Sequence, residues 1–241
     1  MNVYWLEQTE ADVPIENDWL SENEASSLNR MRFAKRRADW RLGRWTAKHA
    51  LSVYLDLPAH PEIFKKMDIR PAQSGAPQAF FVNRPTGVTI SLSHRSGVAA
   101  CAVAMSGVEI GCDLEVVEPR SDAFVADYFT SEEQALIARA SVSDRPRLLA
   151  LLWSGKESAL KALGTGLRLD TRSVVVNPFD ASFDLNGWSP LRVRYTGGGV
   201  FHGWWQLTNT LVRTVVASPQ PDSPIALTIP AHFFDCASQC A

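Results

Sequence analysis

The sequence predicts an α+β protein made of two similar α/β subdomains, each of about 110 residues, related by a pseudo-twofold axis, with mostly antiparallel sheets, long helices and a cleft between the halves. Three observations lead there. Strand-like runs alternate with stretches of helical period. Consecutive strand-like runs are joined by short, glycine-flanked connections, which favour antiparallel pairing. The halves also echo each other: WLSENEASSLNR at 19–30 parallels YFTSEEQALIAR at 128–139, and Trp45-Thr-Ala-Lys48 parallels Trp153-Ser-Gly-Lys156 with a two-residue change in spacing. That period exceeds the roughly 20–50 residues of a solenoid repeat. Two packed halves, 1–108 and 109–241, leave a cleft between them as the natural ligand site.

In chain order, the apolar run from Val3 to Leu6 predicts a first strand. Ser21 and Glu24 have capping-box spacing and open a helix to about Met31. A second helix is expected from about Lys35 to Leu55, with Pro58 ending it. Weak strand signals follow at Ile69 and Phe80–Val82, then three clearer ones at 87–93, 97–104 and 107–117, read as an antiparallel meander. Thr130 with Glu133, or Ser131 with Gln134, offers another capping box for a helix to about Ala140. A long helix from about Arg147 to Leu163 is ended by Gly164 and Gly166. Strands are expected again at 172–176, 191–195, 201–207 and 210–218, followed by the turn-rich stretch 218–224.

An apolar content of 46%, a charged content of 21% and a net charge of −2 are ordinary for a globular protein. They predict no general attraction to nucleic acid or anionic membranes, so any electrostatic function must be local. The start has no basic segment followed by an apolar one, and the longest apolar run, at 98–105, is too short to span a bilayer. A cytoplasmic protein is expected. Cys101 and Cys112 read as buried free thiols, and Cys236 and Cys240 lack partners at a metal-binding spacing.

In GVEIGCDLEVV, Ile110, Cys112, Leu114 and Val116 point one way, while Gly111, Asp113 and Glu115 point the other. The two carboxylates are either a solvent-facing strand edge or a seat for a hard cation. His94, beside Ser93 at a strand end, could cap a turn, act as a base or donate to a phosphate. The segment 30–48 carries eight lysines and arginines against one acid, which suits a solvated helix face or a phosphate site better than extended nucleic-acid binding. Lys156 falls near the centre of an apolar stripe formed by Leu149, Leu152, Trp153, Leu160 and Leu163, with Glu157 and Lys161 on its flank. Such a lysine either snorkels to water or reaches an anion. Taken together, three acids for a divalent ion and several cations for phosphates suit phosphoryl-group transfer. No Walker or dinucleotide-binding glycine loop is present, so side chains must hold the phosphates.

These residues resemble the 4′-phosphopantetheinyl transferases of the two-half, surfactin-synthetase-activating (Sfp) type. The signatures G-[IV]-D-[IL]-E and [FW]-S-x-K-E-[AS]-x-x-K appear as Gly111-Cys-Asp113-Leu-Glu115 and Trp153-Ser-Gly-Lys156-Glu157-Ser-Ala-Leu-Lys161, with Cys112 as the departure. Ser93-His94 and the basic helix resemble further family features, and the likeness covers about residues 30–170. The resemblance implies transfer of the phosphopantetheine arm of coenzyme A to a serine of an apo acyl or peptidyl carrier protein. Asp113, Glu115 and Glu157 would hold magnesium, with manganese as a substitute, and Glu157 would help take the serine proton. Lys161 would neutralise the leaving phosphate, and Lys156, its head emerging into an anion-filled cleft, would bind pyrophosphate or the 3′-phosphate with His94.

Many relatives carry G-K-P before the S-H strand, whereas this chain has Gly75-Ala76-Pro77, so Arg36, Arg37 and Arg44 become the expected 3′-phosphate ligands beside Ser93 and His94. The nucleotide contacts would then lie in the first half and the metal and catalytic motifs in the second, in a monomer with no nucleic-acid or membrane partner. Two other readings stand beside this one: a magnesium-dependent phosphotransferase with another acceptor, and a non-catalytic module that binds coenzyme A or a carrier protein.

Overall fold

A computed structural model describes residues 1–178, 187–208 and 210–229; Cys236 and Cys240 lie outside these. The first half runs β1 (Tyr4–Thr9), α1 (Glu22–Asn29), α2 (Ala34–Tyr54), α3 (Pro61–Phe64), β2 (Met67–Pro71), β3 (Pro77–Phe81), β4 (Arg84–Pro85), β5 (Val88–Arg95) and β6 (Val98–Met105). The second runs β7 (Glu109–Val116), α4 (Asp122–Tyr128), α5 (Ser131–Arg139), α6 (Arg145–Ala162), β8 (Val174–Pro178), β9 (Ser189–Tyr195), β10 (Val200–Leu207), β11 (Leu211–Ser218) and β12 (Ile225–Ala226). The helices predicted from capping boxes start where expected, because Ser21 and Thr130 each accept from the backbone of the glutamate three residues on, which reaches back to their own N–H. The short elements α3, α4, β4 and β12 carry too little periodic signal to be read from the sequence.

Two main sheets form, in the orders β12-β1-β6-β5 and β7-β11-β10-β9-β8, with a small third sheet β2-β3-β4. Apart from the parallel β1–β12 pair, every strand pairing is antiparallel. The first sheet packs α2 over a core that includes Trp19, Trp45, Leu51, Phe64 and Val103. The second packs α6 over Leu149, Leu152, Leu160, Val193 and Trp205. A third core, with Trp5, Ala100, Ala102, Ala104, Ile110, Cys112, Leu114 and Val215, lies where the two sheets meet. The alternation in β6 explains its double burial: Cys101 and Val103 serve the α2 core while the small Ala100, Ala102 and Ala104 face the other sheet. Among the described residues no helix is long and apolar enough to cross a membrane.

The expected three-strand meander is corrected at its last strand. β5 and β6 form a hairpin, but β7 pairs with β11 in the second sheet. The reason is that β6 already has both edges filled, by β5 and β1. β7 instead lies beside β5 through side chains: Ser91 Oγ accepts from Cys112 N–H at 2.9 Å, and Ser93 Oγ accepts from Leu114 N–H at 3.1 Å. Two serine hydroxyls thus satisfy backbone donors that a neighbouring strand would otherwise take.

Candidate active site

The site begins with the contact of β7 against α6. Gly111 makes that contact possible: a Cβ there would fall 1.8 Å from Ser158 O and 2.7 Å from Ala162 N. With the helix lying on the strand, Asp113 and Lys161 meet. Lys161 Nζ donates to Asp113 Oδ1 at 2.8 Å and to Cys112 O at 2.9 Å. Ser93 Oγ donates to the same Asp113 oxygen at 2.9 Å, so this hydroxyl braces the carboxylate as well as the Leu114 backbone. Burial disfavours the Lys161 cation, but Asp113, with Cys112 and Glu157, outweighs it and raises the lysine above its ordinary range.

The carboxylate of Glu157, half-buried on the same helix, makes no hydrogen bond or ion pair among the described residues. Burial raises its pKa, and the charges of Asp113 and Glu115 add to the shift. Glu115 is raised by burial too, against the pull of its arginine neighbours. Those neighbours had no sequence signal: Arg120 Nη2 sits 2.9 Å and Arg95 Nη2 3.2 Å from Glu115 Oε1, and both arginines also reach Glu118.

Among the described residues no three His, Cys, Asp or Glu side chains stand close enough to hold one metal ion together. Glu115 is drawn to two guanidiniums and Asp113 Oδ1 to Lys161 and Ser93. The donor chemistry nevertheless suits a hard cation. Asp113 Oδ2 is buried with no hydrogen-bond partner, Glu157 is unpaired, and Asp113 presses on both glutamates. An oxygen-only donor set of this kind is what magnesium takes.

Lys161 forms part of one wall of a cavity of about 790 Å³ between the α6 end and β3–β5. Gly75, Pro77 and Leu92 are shared with a second cavity of about 650 Å³, lined by Lys35, Arg36, Arg44 and His94. Arg36 is exposed, and Arg44 stacks 4.8 Å over Trp40. Surrounding protein costs the His94 cation its hydration and holds the ring below the ordinary histidine range, with Lys161 and Lys35 contributing. Ala76 also lines the larger cavity, between Gly75 and Pro77. Across from this loop, Arg168 donates to Ser74 O at 2.8 Å, tying the turn after α6 to the first half.

Two expectations are corrected. Lys156 neither snorkels nor reaches the cleft: it is 0% exposed, donates to Thr171 O and Val174 O, and pairs with Glu133 Oε2 at 2.8 Å. Its stem follows the apolar stripe inward, where buried carbonyls and a buried carboxylate replace water. Arg37 is also committed elsewhere. Its Nη1 donates to Leu28 O at 2.6 Å and Met31 O at 3.3 Å, closing the end of α1, where carbonyls have no helical partner.

The Lys156 arrangement occurs twice. Lys48 Nζ pairs with Glu24 Oε2 at 2.5 Å and donates to Trp19 O and Phe64 O. In each case the glutamate closes a capping box, while its other oxygen accepts from a strand backbone N–H, Ile69 for Glu24 and Val176 for Glu133. Each lysine also lies 5.5 Å from an aromatic centroid, Trp19 or Phe129. The capping glutamates carried a helix-start signal in the sequence; their second role as partners of buried lysines did not show there.

No curated protein matches this sequence. Among solved structures, the crystal structure of Helicobacter pylori holo-[acyl-carrier-protein] synthase in complex with coenzyme A is similar at 18% identity, covering 43% of this chain and 99% of that one, with a TM-score of 0.30. Residues 109–217 match the family model described as the 4′-phosphopantetheinyl transferase superfamily. That segment, a little under half of the chain, holds β7, α6 and the side chains of Asp113, Glu115, Glu157 and Lys161.

Proposed function

We propose that this chain transfers the 4′-phosphopantetheine arm of coenzyme A to a serine hydroxyl of an apo acyl or peptidyl carrier protein, releasing adenosine 3′,5′-bisphosphate, as a two-half enzyme with the boundary near residue 108. The observation that carries the reading is the Lys161–Asp113 pair at a cavity that continues into the basic pocket of Arg36, Arg44 and His94. A nucleotide with phosphates at both ends needs cations at both ends of its groove. The repeated glutamate–lysine constellation supports the pseudo-twofold relation.

In this reading Asp113, Glu115 and Glu157 hold magnesium, which when bound offsets the charge of the pyrophosphate. Lys161 meets the charge that builds on the leaving phosphate. Glu157 takes the serine proton, directly or through a water, and its raised pKa makes it a better base than an ordinary carboxylate. The serine oxygen bonds to the phosphorus that bears the pantetheine arm as the bridging P–O bond breaks. Ser93 holds Asp113 in place, and Arg36, Arg44 and His94 receive the 3′-phosphate. Incubating the chain with coenzyme A, magnesium and a panel of apo carrier proteins tests this, the expected result being a mass gain of one phosphopantetheine on the carrier that EDTA prevents. No gain on any carrier would sink it.

A further inference from the structure

Glu115 stands apart from the other two carboxylates in being held by two guanidiniums, whereas Asp113 meets Lys161 through Oδ1 alone. Its Oε1 takes Arg120 Nη2 at 2.9 Å, Arg95 Nη2 at 3.2 Å and the Val116 N–H at 3.2 Å. The arginines come from different elements, Arg95 from the end of β5 and Arg120 from the segment leading to α4. Glu118 Oε1 takes the same two guanidiniums, at 3.3 Å and 2.9 Å, so the four side chains form a closed square of alternating charge. Arg120 is further held 5.1 Å over the Phe124 ring. Glu157 and Asp113 Oδ2 carry no such partner.

We infer that Arg95 and Arg120 act as a guanidinium clamp that competes with a divalent cation for Glu115, and that Glu118 receives the arginines when Glu115 turns to the metal. The inference rests on the reading that Asp113, Glu115 and Glu157 hold a divalent cation. Its logic is an exchange of partners: each arginine is left with one carboxylate instead of two, so neither cation is stranded. The clamp is a positioning device that sets metal affinity, and neither arginine touches the reacting atoms. It gives opposite signs to two neighbouring substitutions. Removing an arginine relieves Glu115 of one of its two guanidiniums and tightens the metal, whereas removing the Glu118 charge leaves both arginines on Glu115 and loosens it. A purely structural square would weaken the metal site whichever member were removed.

The test is binding of manganese chloride alone to the full chain, followed by loss of the free-ion electron paramagnetic resonance signal, with thermal unfolding as a check on folding. Arg120→Gln is expected to bind about fivefold more tightly than the unaltered chain, and Glu118→Gln about as much more weakly, the size expected of partly exposed ion pairs. The half-exposed Arg95→Gln repeats the first arm should Arg120→Gln fail to fold. Added salt should narrow both differences, since it screens the pairs. If manganese binds and Asp113→Asn abolishes that binding, but the arginine variants bind unchanged or more weakly, the clamp is overturned while the metal site stands. If no chain binds manganese, the metal reading falls and the clamp falls with it.

Discussion

Lys156 Nζ lies 2.8 Å from Glu133 Oε2, and both side chains are excluded from water, at 0% and 1% exposure. The pair ties α6 to the start of α5 and, through the carbonyls of Thr171 and Val174, to the segment entering β8. The residue after Lys156 on that helix is Glu157, and Lys161 lies one turn further on. Lys156→Met should therefore destabilise the fold by about 3–5 kcal/mol, because it leaves a buried carboxylate without its cation. Lys156→Met combined with Glu133→Leu should recover much of that loss, as both charges then disappear. Chemical denaturation of the two variants decides between this and a surface role, for which the single change would cost almost nothing.

Gly111→Ala should separate β7 from α6. The added methyl meets helix backbone, which cannot rotate aside as a side chain could. A loss of about 3 kcal/mol or more is expected, with the Asp113–Lys161 contact opened and transfer reduced in the molecules that still fold. Stability and the rate per folded molecule, measured together, check it.

Lys161→Met should cost less stability than Lys156→Met, since the Lys161 side chain is 29% exposed, although it leaves Asp113 without its cation. Transfer should fall about a hundredfold, the usual loss when a group stabilising transition-state charge is removed. A rate within threefold of the unaltered chain would remove Lys161 from the chemistry.

The two arginines at 36 and 37 should separate. Arg36→Gln is expected to lower affinity for coenzyme A about tenfold while leaving 3′-dephospho-coenzyme A unaffected, the size of one charge-assisted contact. Arg37→Gln should alter neither affinity and lower stability instead, because its guanidinium closes α1. Side-by-side titration of both nucleotides on both variants shows whether the assignments hold.

His49 lies between Trp45 and Phe64 with neither ring nitrogen hydrogen-bonded, and burial lowers its pKa to about 4 from 6.5. The unfolded chain then binds a proton between those values that the folded one refuses, so stability rises with pH there. Its contribution is complete above pH 6.5 and is lost as pH falls to about 4, roughly 3 kcal/mol in all. His49→Phe should flatten that part of the pH–stability curve. A curve unchanged by the substitution would assign the acid sensitivity elsewhere.

By itself the sequence determined what local physics controls. Capping boxes placed the starts of α1 and α5, glycines marked the end of α6, and alternation put Asp113 and Glu115 on one face of β7 and its apolar residues on the other. The runs that hold Asp113 and Lys161 were each legible as a motif, but that the two side chains meet was decided by the packing of β7 on α6. Tertiary structure decided the partners of β7, since strand order depends on which edges distant segments have already filled. It also decided the fate of every ambiguous cation. Lys156, Arg37 and Arg36 were all expected to bind phosphate, yet one reaches a buried glutamate, one a helix end and one the cavity, because a long side chain answers to whatever acceptors the fold brings within reach.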